Sequence, residues 1–240
     1  MKLSFDLHIH TCLSPCAEDD MTPNNIVNMA MLKGLDIIAI TDHNAVGNCA
    51  SVMEVGRQRN ILVVPGMELC TVDKIHLLCY FPDIIRALWF QNAVFKHLLP
   101  LKNREDVFGR QIYMDSLDHE TGIEERLLSG ACNLDTGAAI ALVKDLDGAV
   151  VPAHIDRESF SMLYNLGTIP EEYALKYLEC SKYCESEKFM YGKQALTRYD
   201  YLKSSDAHFL QDILERESFL DMEERGIKAL ISKLVGKAPE

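Results

Sequence analysis

Two histidines near the start of the sequence have the spacing of metal ligands. His8 and His10 lie two residues apart in the apolar run 3–10, and alternate side chains of a β-strand point to the same face. Both imidazoles could therefore converge on one ion. A pair of polar residues facing solvent would show the same spacing, although the neighbours Leu7 and Ile9 place the pair at the end of a buried strand. The spacing alone leaves both interpretations open.

The same residue types recur where later apolar runs end. Charged and imidazole groups are costly to bury unless they are paired or bound to metal. In a parallel β/α barrel the functional side chains gather at the carboxyl ends of the strands, where the chain leaves the core. The further candidates at or near strand ends are His43, Glu68, His76, His154, Asp206 and His208. Their recurrence predicts a metal-dependent hydrolase, and the mixture of imidazole and carboxylate favours zinc, manganese or iron over a thiolate-rich structural zinc site.

The elements that must position these residues follow a β-α order in the first third of the chain. Helical stretches separate the first three of four apolar runs, which is typical of β-α units and a largely parallel sheet. Thr22 and Pro23 predict the N-cap and first turn of a helix that ends near Gly34. The predicted strands occupy residues 3–10, 36–43, 61–69 and 74–81.

The middle of the chain has a different pattern. Residues 84–147 combine a helix rich in Leu and Phe, a polar segment from Lys102 to Asp118, and predicted helices near 124–129 and 135–147. We interpret this stretch as a mainly helical insertion or lid within a single domain that covers residues 1–240. Further strands are predicted at 148–155, 175–181 and 201–208, and a last helix at about 223–235.

The composition narrows the class of protein. The chain has 240 residues, of which 48% are hydrophobic and 25% charged, as in folded globular proteins. A net charge of −12 argues against a nucleic-acid polymer as partner, because a grip on its backbone needs clustered Lys and Arg. No membrane span or signal peptide is evident, so a cytoplasmic protein is expected. The eight scattered cysteines are expected to be reduced, mostly buried thiols.

Six motifs together resemble one family. The segments DLHIHTCLS, ITDHN, PGMEL, KIHLL, VPAHIDR and SSDAH stand in the order found in the PHP (polymerase and histidinol phosphatase) family of metal-dependent phosphoesterases. The resemblance covers nearly the whole chain. It implies an α/β fold, a distorted, TIM-like, seven-stranded β/α barrel with two or three divalent metal ions at its C-terminal mouth.

The resemblance also implies a division of the ligands among the ions. Glu68 would bridge the first two ions, and the third would take a further ligand from the loop after the first strand. On grounds of ligand hardness we expect an acid there, Glu18, although Cys16, Asp19 and Asp20 are also candidates. The first ion would be held by His8, His10, Glu68 and Asp206, the second by Glu68, His76 and His154, and the third by His43 and His208.

The expected chemistry is hydrolysis by a hydroxide that bridges the metals, since closely spaced divalent ions lower the pKa of bound water and neutralise phosphoryl oxygens. Arg157 could bind a phosphate oxygen, or form a structural salt bridge. Asp42 and Asp6 adjoin ligand histidines and could orient their imidazoles, and Asp42 could instead carry protons.

These expectations favour a small phosphate ester as substrate, either a phosphomonoester or a nucleotide-type ester. Two alternatives remain open from the sequence. One is a hydrolase of C–N or C–O bonds, because related amidohydrolase-type barrels also begin with two histidines at a strand end. The other is a metal-binding accessory domain without catalysis.

Overall fold

The computed structural model describes residues 1–185, 188–189 and 192–236. The strands are β1 (Lys2–Ile9), β2 (Ile37–Ile40), β3 (Leu62–Cys70), β4 (His76–Tyr80), β5 (Ile112–Met114), β6 (Glu120–Ile123), β7 (Ala149–Pro152), β8 (Tyr177–Ser181), β9 (Asp200–Ser204) and β10 (Phe219–Asp221). The α-helices are α1 (Pro23–Leu32), α2 (Cys49–Gln58), α3 (Ile84–His97), α4 (Glu105–Phe108), α5 (Thr136–Asp145), α6 (Met162–Leu166) and α7 (Ile227–Val235). Short 3-10 helices occupy Glu171–Tyr173, Gln194–Arg198 and Leu210–Asp212.

The main sheet has six strands in the order β10-β1-β2-β3-β4-β7 and curls into a half-barrel. Strands β1, β2 and β3 are parallel, as predicted, but β4 runs antiparallel to both β3 and β7. The largely parallel sheet expected from the sequence is therefore only partly correct. The short segment between β3 and β4 explains the difference, because a parallel connection needs a crossover of a dozen or more residues.

Strands β8 and β9 form a separate parallel pair. Backbone hydrogen bonds connect this pair to the segments that directly follow β7 and β1. The Ile155 N–H, just after β7, donates to the Glu179 carbonyl at 2.9 Å, and the His10 N–H donates to the Ala207 carbonyl at 3.0 Å. The α/β class is confirmed, whereas the described strands form a half-barrel with an attached pair instead of one seven-stranded sheet.

The stretch from 84 to 147 is not mainly helical. A hairpin of β5 and β6 separates α3 and α4 from α5. The helix predicted near 124–129 is wrong, because the buried Gln111 amide binds this segment in an extended form: its Nε2 donates to the Glu124 and Arg126 carbonyls, and its Oε1 accepts from the Leu128 N–H. The Ile112 N–H donates to the Cys12 carbonyl at 2.8 Å, so the hairpin packs beside the loop that follows β1.

The core lies on both sides of the main sheet. An inner cluster includes Phe5 and Leu7 together with residues of α7, and an outer cluster joins Ile9 to residues of α1, α2, α3 and α5. The pairing of β1 with β2 shifts register between Asp6 and Ile9. At this shift the alternation of side chains along β1 changes, so that Leu7 and then His8 lie on the inner side and Ile9 lies on the outer side. His8 and His10 therefore lie inside the curled sheet.

The start of helix α1 agrees with the prediction from the sequence. The Thr22 side chain caps α1 by accepting a hydrogen bond from the Asn25 N–H, and Pro23 occupies the first turn. Within the described residues, no helix has the length and apolar character needed to cross a bilayer.

Candidate metal centre

Three buried side chains and one partly buried side chain, from three parts of the chain, converge at the end of β1. The ligand atoms of His8, His10, Glu68 and Asp206 all lie within 4.8 Å of one another. His8 Nε2 and His10 Nε2 are each 3.2 Å from Asp206 Oδ1 and 3.3 Å from a Glu68 oxygen. The first ligand group expected from the sequence is therefore assembled.

Glu68, in β3, lies at the centre of a larger cluster. Its Oε1 is 2.7 Å from His76 Nδ1 and 3.2 Å from His154 Nε2, and its Oε2 is 2.9 Å from His43 Nδ1. The structure thus brings His76 and His154 to Glu68, as expected for a second ion. It also brings His43 to the same carboxylate, which the expected grouping did not include.

A third group contains His10, His43 and His208, whose ligand atoms also lie within 4.8 Å of one another. The rings of His10 and His208 are stacked with their centroids 4.2 Å apart. The expected pair of His43 and His208 therefore shares a site with His10. All eight expected histidine and carboxylate ligands outside the loop after β1 fall into one continuous cluster.

Several buried atoms of this cluster lack a hydrogen-bond partner within the described part of the chain. They are His43 Nδ1, Glu68 Oε2 and His154 Nδ1. His43 Nδ1 and Glu68 Oε2 lie 2.9 Å apart without the alignment of a hydrogen bond. A buried polar atom without a partner costs about 1–3 kcal/mol, and metal coordination would remove that cost. Imidazole and carboxylate ligands suit divalent ions, so the residues fit a metal centre.

Two of the cluster residues have unusual backbone conformations. His154 has φ of +30° and Asp206 has φ of +55°, and each lies two residues beyond the end of a strand, β7 or β9. Non-glycine residues in this region are strained by about 1–3 kcal/mol and persist only where their surroundings hold them. The Glu179 carboxylate holds the His154 N–H at 3.0 Å. In these conformations both side chains contact the cluster.

The charges of the cluster favour ionised carboxylates. Burial opposes the charge on Glu68, but nearby imidazoles, His76 foremost, lower its pKa well below the usual value. Burial likewise opposes the charge on Asp206, and the charge of His8 lowers its pKa. Burial also opposes a charge on His8, yet the carboxylates of Glu179, Asp206 and Glu68 raise its pKa. Metal binding would release that proton from His8.

Glu179 in β8 is a buried carboxylate of the cluster that the sequence reasoning missed. It is buried, and its two oxygens lie 3.1 and 3.0 Å from His8 Nδ1. Carboxylates that accept from the second nitrogen of a metal-binding imidazole fix its tautomer and orientation. The available signal was a charged residue in the middle of the apolar run LKYLECS.

Asp42 is fully buried and binds the loop after β1. Its carboxylate accepts from the Thr11 N–H, the Thr11 hydroxyl and the Ser14 hydroxyl, each at 2.7 Å. Ser14 Oγ in turn lies 2.9 Å from His10 Nδ1. Asp42 is therefore connected to the His10 imidazole indirectly, through Ser14. Asp6 differs from expectation, because its carboxylate accepts from the backbone of Ser205 and Leu214 instead of facing an imidazole.

Arg157 lies where the cluster opens to solvent. Its guanidinium is 2.7 Å from Asp206 Oδ2 and is partly exposed. Both expected roles are thus compatible with its position: it forms a salt bridge, and it also lines a cavity of about 140 Å³ together with Ser159 and Phe160. Phe160 stacks on His76 with the ring centroids 4.4 Å apart and forms an apolar wall of the cavity.

The loop after β1 approaches the third group through Cys16. Burial alone would raise the pKa of this thiol, but hydrogen bonds with His208 and His43 lower it to about 5. Glu18, the acid expected at this position, is exposed and reaches His208 with its backbone N–H, which donates to the His208 carbonyl at 3.0 Å. Asp19 pairs with Arg110 instead.

Comparison with known proteins identifies the family. A sequence model of the PHP domain matches residues 6–150, more than half of the chain. The uncharacterised protein MJ1587 of Methanocaldococcus jannaschii is 33% identical over an alignment of 76 residues, and the match covers 28% of this chain and 44% of that protein.

Solved structures share the fold at low sequence identity. The lesion-specific endonuclease PfuEndoQ of Pyrococcus furiosus is 18% identical with a TM-score of 0.72, and the match covers 98% of this chain and 56% of that one. A protein of Bifidobacterium adolescentis described as a metal-dependent phosphoesterase is 18% identical with a TM-score of 0.67, covering 97% and 98% of the two chains. This chain thus spans little more than half of the endonuclease.

One expectation from the composition is contradicted by these relatives. Endonuclease Q has been solved with a 27-mer duplex that carries an abasic lesion at the active site, and that structure is 18% identical with a TM-score of 0.71, covering 98% of this chain and 57% of that one. Net charge over the whole chain therefore does not exclude a nucleic-acid partner for this fold. Phosphate binding depends on local charge, and bound cations can supply it.

Proposed function

The chain belongs to the PHP domain family, and from this premise we propose that it is a metal-dependent hydrolase that cleaves phosphate esters. One observation carries the proposal: a single buried carboxylate, Glu68, is contacted by five imidazoles. Such an arrangement is costly as a purely structural feature but is suited to holding adjacent divalent ions. Zinc, manganese and iron are the ions that this ligand set favours.

Bound divalent ions would activate water at neutral pH and neutralise the phosphoryl oxygens. The protein prepares the ligand imidazoles for this role by fixing their tautomers. Glu179 accepts the Nδ1 proton of His8, which leaves the Nε2 lone pair for metal. Ser14 Oγ donates to Asp42, so it accepts from His10 Nδ1 and leaves His10 Nε2 free in the same way.

Arg157 would bind the substrate phosphate. Its guanidinium borders the cavity and already contacts Asp206 Oδ2. A planar guanidinium can hold a carboxylate and a phosphoryl oxygen with separate N–H groups. Arg157 could therefore contact Asp206 and the bound substrate at the same time.

A small phosphate ester, a phosphomonoester or nucleotide-type ester, is the substrate that we favour. The cavity of about 140 Å³ accommodates a phosphoryl group and leaves the remainder of the ester outside. A second candidate is a phosphodiester of damaged DNA, because the fold of the Pyrococcus endonuclease covers 98% of this chain. Cleavage of either substrate would require attack at a phosphorus atom beside the metals.

A panel of substrates tests the proposal. The wild-type chain and His10→Ala, each loaded with manganese, zinc or iron, would be assayed on phosphomonoesters, nucleotides, duplex DNA with an abasic site, amides and lactones. We expect phosphate ester cleavage by the wild type and none above background by His10→Ala. Cleavage of amides or lactones alone would contradict the proposal in favour of the amidohydrolase alternative. Metal retention without any turnover would favour an accessory domain.

A further inference from the structure

A second group of metal-binding residue types lies at the end of β8. Asp156, Cys180 and Cys184 each offer one ligand atom, and these three atoms all lie within 4.8 Å of one another. Cys180 belongs to β8 and is buried, whereas Asp156 and Cys184 lie in the segments after β7 and β8 and are partly exposed. We call these three residues the thiol cluster.

The thiol cluster is separate from the centre at Glu68, although β8 contributes to both. Glu179 and Cys180 are neighbours in β8, so their side chains point to opposite faces. Glu179 contacts His8 inside the curled sheet, whereas Cys180 belongs to the outer apolar core and Cys184 packs against it. The two thiols therefore lie on the other side of the strand from the ligands expected around Glu68.

A tight turn brings the two cysteines together. Three residues separate Cys180 from Cys184, a spacing within the range found between paired thiolate ligands of zinc. The Cys184 N–H donates to the Ser181 carbonyl at 3.0 Å and so closes the turn. Lys182, inside the turn, forms an ion pair of 2.7 Å with Asp212, so its charge is already matched.

The Asp156 carboxylate is oriented by β8. Its Oδ1 accepts from the Ser181 N–H at 2.8 Å, and its Oδ2 accepts from the Ser181 hydroxyl at 2.7 Å. Carboxylate oxygens have more lone pairs than these two bonds use, so acceptor capacity is left for an ion. Carboxylates that bind metals are commonly held in this way by hydrogen bonds from behind. Ser181 thus holds Asp156 against the two thiols.

The surroundings of Cys180 are electronegative. Burial raises the pKa of its thiol, and the charges of Cys184 and Asp156 raise that pKa further. A bound cation would have the opposite effect, because thiols coordinate metals in their ionised form. The same negative groups that oppose a lone thiolate would therefore attract a divalent ion.

We propose that Asp156, Cys180 and Cys184 bind a zinc ion that is separate from the metals at Glu68. Zinc accepts thiolate and carboxylate ligands together, whereas magnesium and manganese prefer oxygen ligands alone. Water would complete the tetrahedral site from its exposed side. The ion would cross-link the segment after β7 to β8 and secure the attached strand pair to the half-barrel. This site does not depend on the proposed hydrolase activity.

Cobalt substitution tests the site without an activity assay. A thiolate bound to Co²⁺ gives an intense ultraviolet charge-transfer band that imidazole and carboxylate ligands do not give. The wild type, Cys184→Ser and His10→Ala would be titrated with Co²⁺ under reducing conditions, and the spectrum and the bound metal per chain measured together. Cys16→Ser is the matched control, because Cys16 is an exposed cysteine outside the thiol cluster.

We expect the band in the wild type, in His10→Ala and in Cys16→Ser. Cys184→Ser should lose the band together with about one equivalent of metal. An unchanged band in Cys184→Ser would overturn the inference, as would a band that is lost in His10→Ala or Cys16→Ser, because the thiolate would then belong to the centre at Glu68. A reduced wild type without the band would also overturn it. The band in a wild type that hydrolyses no phosphate ester would support this site while the proposed function failed.

Asp156→Asn tests the carboxylate ligand. The two thiolates remain, so the band should still form at saturating Co²⁺, but the affinity should fall about 10-fold or more. Asp212→Asn, which removes the ion pair of Lys182, is the control and should keep the wild-type affinity. Equal affinities of Asp156→Asn and the wild type would remove the carboxylate from the proposed site.

Thermal unfolding shows whether the variants remain folded. Cys184 is partly exposed, so in chelator Cys184→Ser should unfold cooperatively within a few degrees of the wild type. Zinc should raise the unfolding temperature of His10→Ala, since an ion that binds only the folded chain stabilises it. The rise should be smaller when Cys184→Ser is added to His10→Ala. An equal rise in both proteins would contradict a zinc site at the thiol cluster.

Discussion

Glu179 faces His8 with both carboxylate oxygens, at 3.1 and 3.0 Å from Nδ1, while His8 Nε2 lies 3.2 Å from Asp206 Oδ1. One ring nitrogen is thus bound to a carboxylate outside the proposed centre, and the other points into it. The pair connects β8 to β1, so the attached strand pair takes part in building the site.

Glu179→Gln tests this relationship. The amide is nearly isosteric but a weaker acceptor, so it should hold the required tautomer of His8 less firmly. We expect metal affinity to fall about 10–100-fold, measured by competition with a chelator of known affinity. Glu171→Gln, an exposed site on a 3-10 helix, is the control and should retain wild-type affinity. Unchanged affinity in Glu179→Gln would show that this carboxylate does not position His8.

Ser14→Ala removes the hydroxyl between Asp42 and His10. A buried Asp42 oxygen and His10 Nδ1 would then lose a partner, so the free energy of unfolding should fall by about 1–3 kcal/mol and metal should bind more weakly. Denaturant unfolding and metal titration measure the two effects. Ser218→Ala, which removes a hydrogen bond of 2.8 Å to the Lys203 carbonyl, should lower stability without changing metal affinity. An effect on stability alone in Ser14→Ala would argue against a positioning role.

Arg157→Ala tests the proposed phosphate contact. Loss of a charge-assisted hydrogen bond to substrate should raise KM about 10-fold while kcat changes less, if the contact is equal in ground and transition states. Steady-state kinetics and metal analysis on the same preparation separate this outcome from loss of a metal through Asp206. Arg157→Lys should recover part of the binding. A large fall in kcat with unchanged KM would assign Arg157 to the transition state instead.

Glu68→Gln removes the shared charge at the centre of the cluster. We expect fewer bound ions per chain and a fall in kcat/KM of about 100-fold or more, since metal stabilisation of phosphoryl charge is worth several kcal/mol. Metal analysis and hydrolysis assays on the folded protein measure both. Wild-type turnover in Glu68→Gln would show that the Glu68 carboxylate is not required for hydrolysis.

The sequence predicted best those candidate ligands whose position depends on the local geometry of one strand. His8 and His10 share a strand face because alternation in β1 is a local property, and Glu68 is marked as a charged residue within an apolar strand. The convergence of these residues then follows from a curled sheet. The β-α order also predicts β1, β2, β3 and the helix α1 to within a few residues.

The remaining features depend on contacts between distant segments. The Gln111 side chain holds residues 124–128 extended, which overrides their helical pattern. Glu179 contacts His8 only because β8 lies beside β1 in the fold. The position of Cys16 near His208 likewise depends on a backbone hydrogen bond between the loop and His208. The error about a nucleic-acid partner has a different origin, because net charge says nothing about local field at a metal centre.

Anomalous diffraction from metal-replete crystals, collected across the manganese, iron and zinc edges, is the most direct test of the metal centre. We predict at least one strong peak within coordination distance of His8, His10, Glu68 and Asp206, and a second on the other side of Glu68 near His76 and His154. Peaks at these positions would identify each ion. The lack of any anomalous peak beside Glu68 under metal-replete conditions would contradict the proposed hydrolase mechanism.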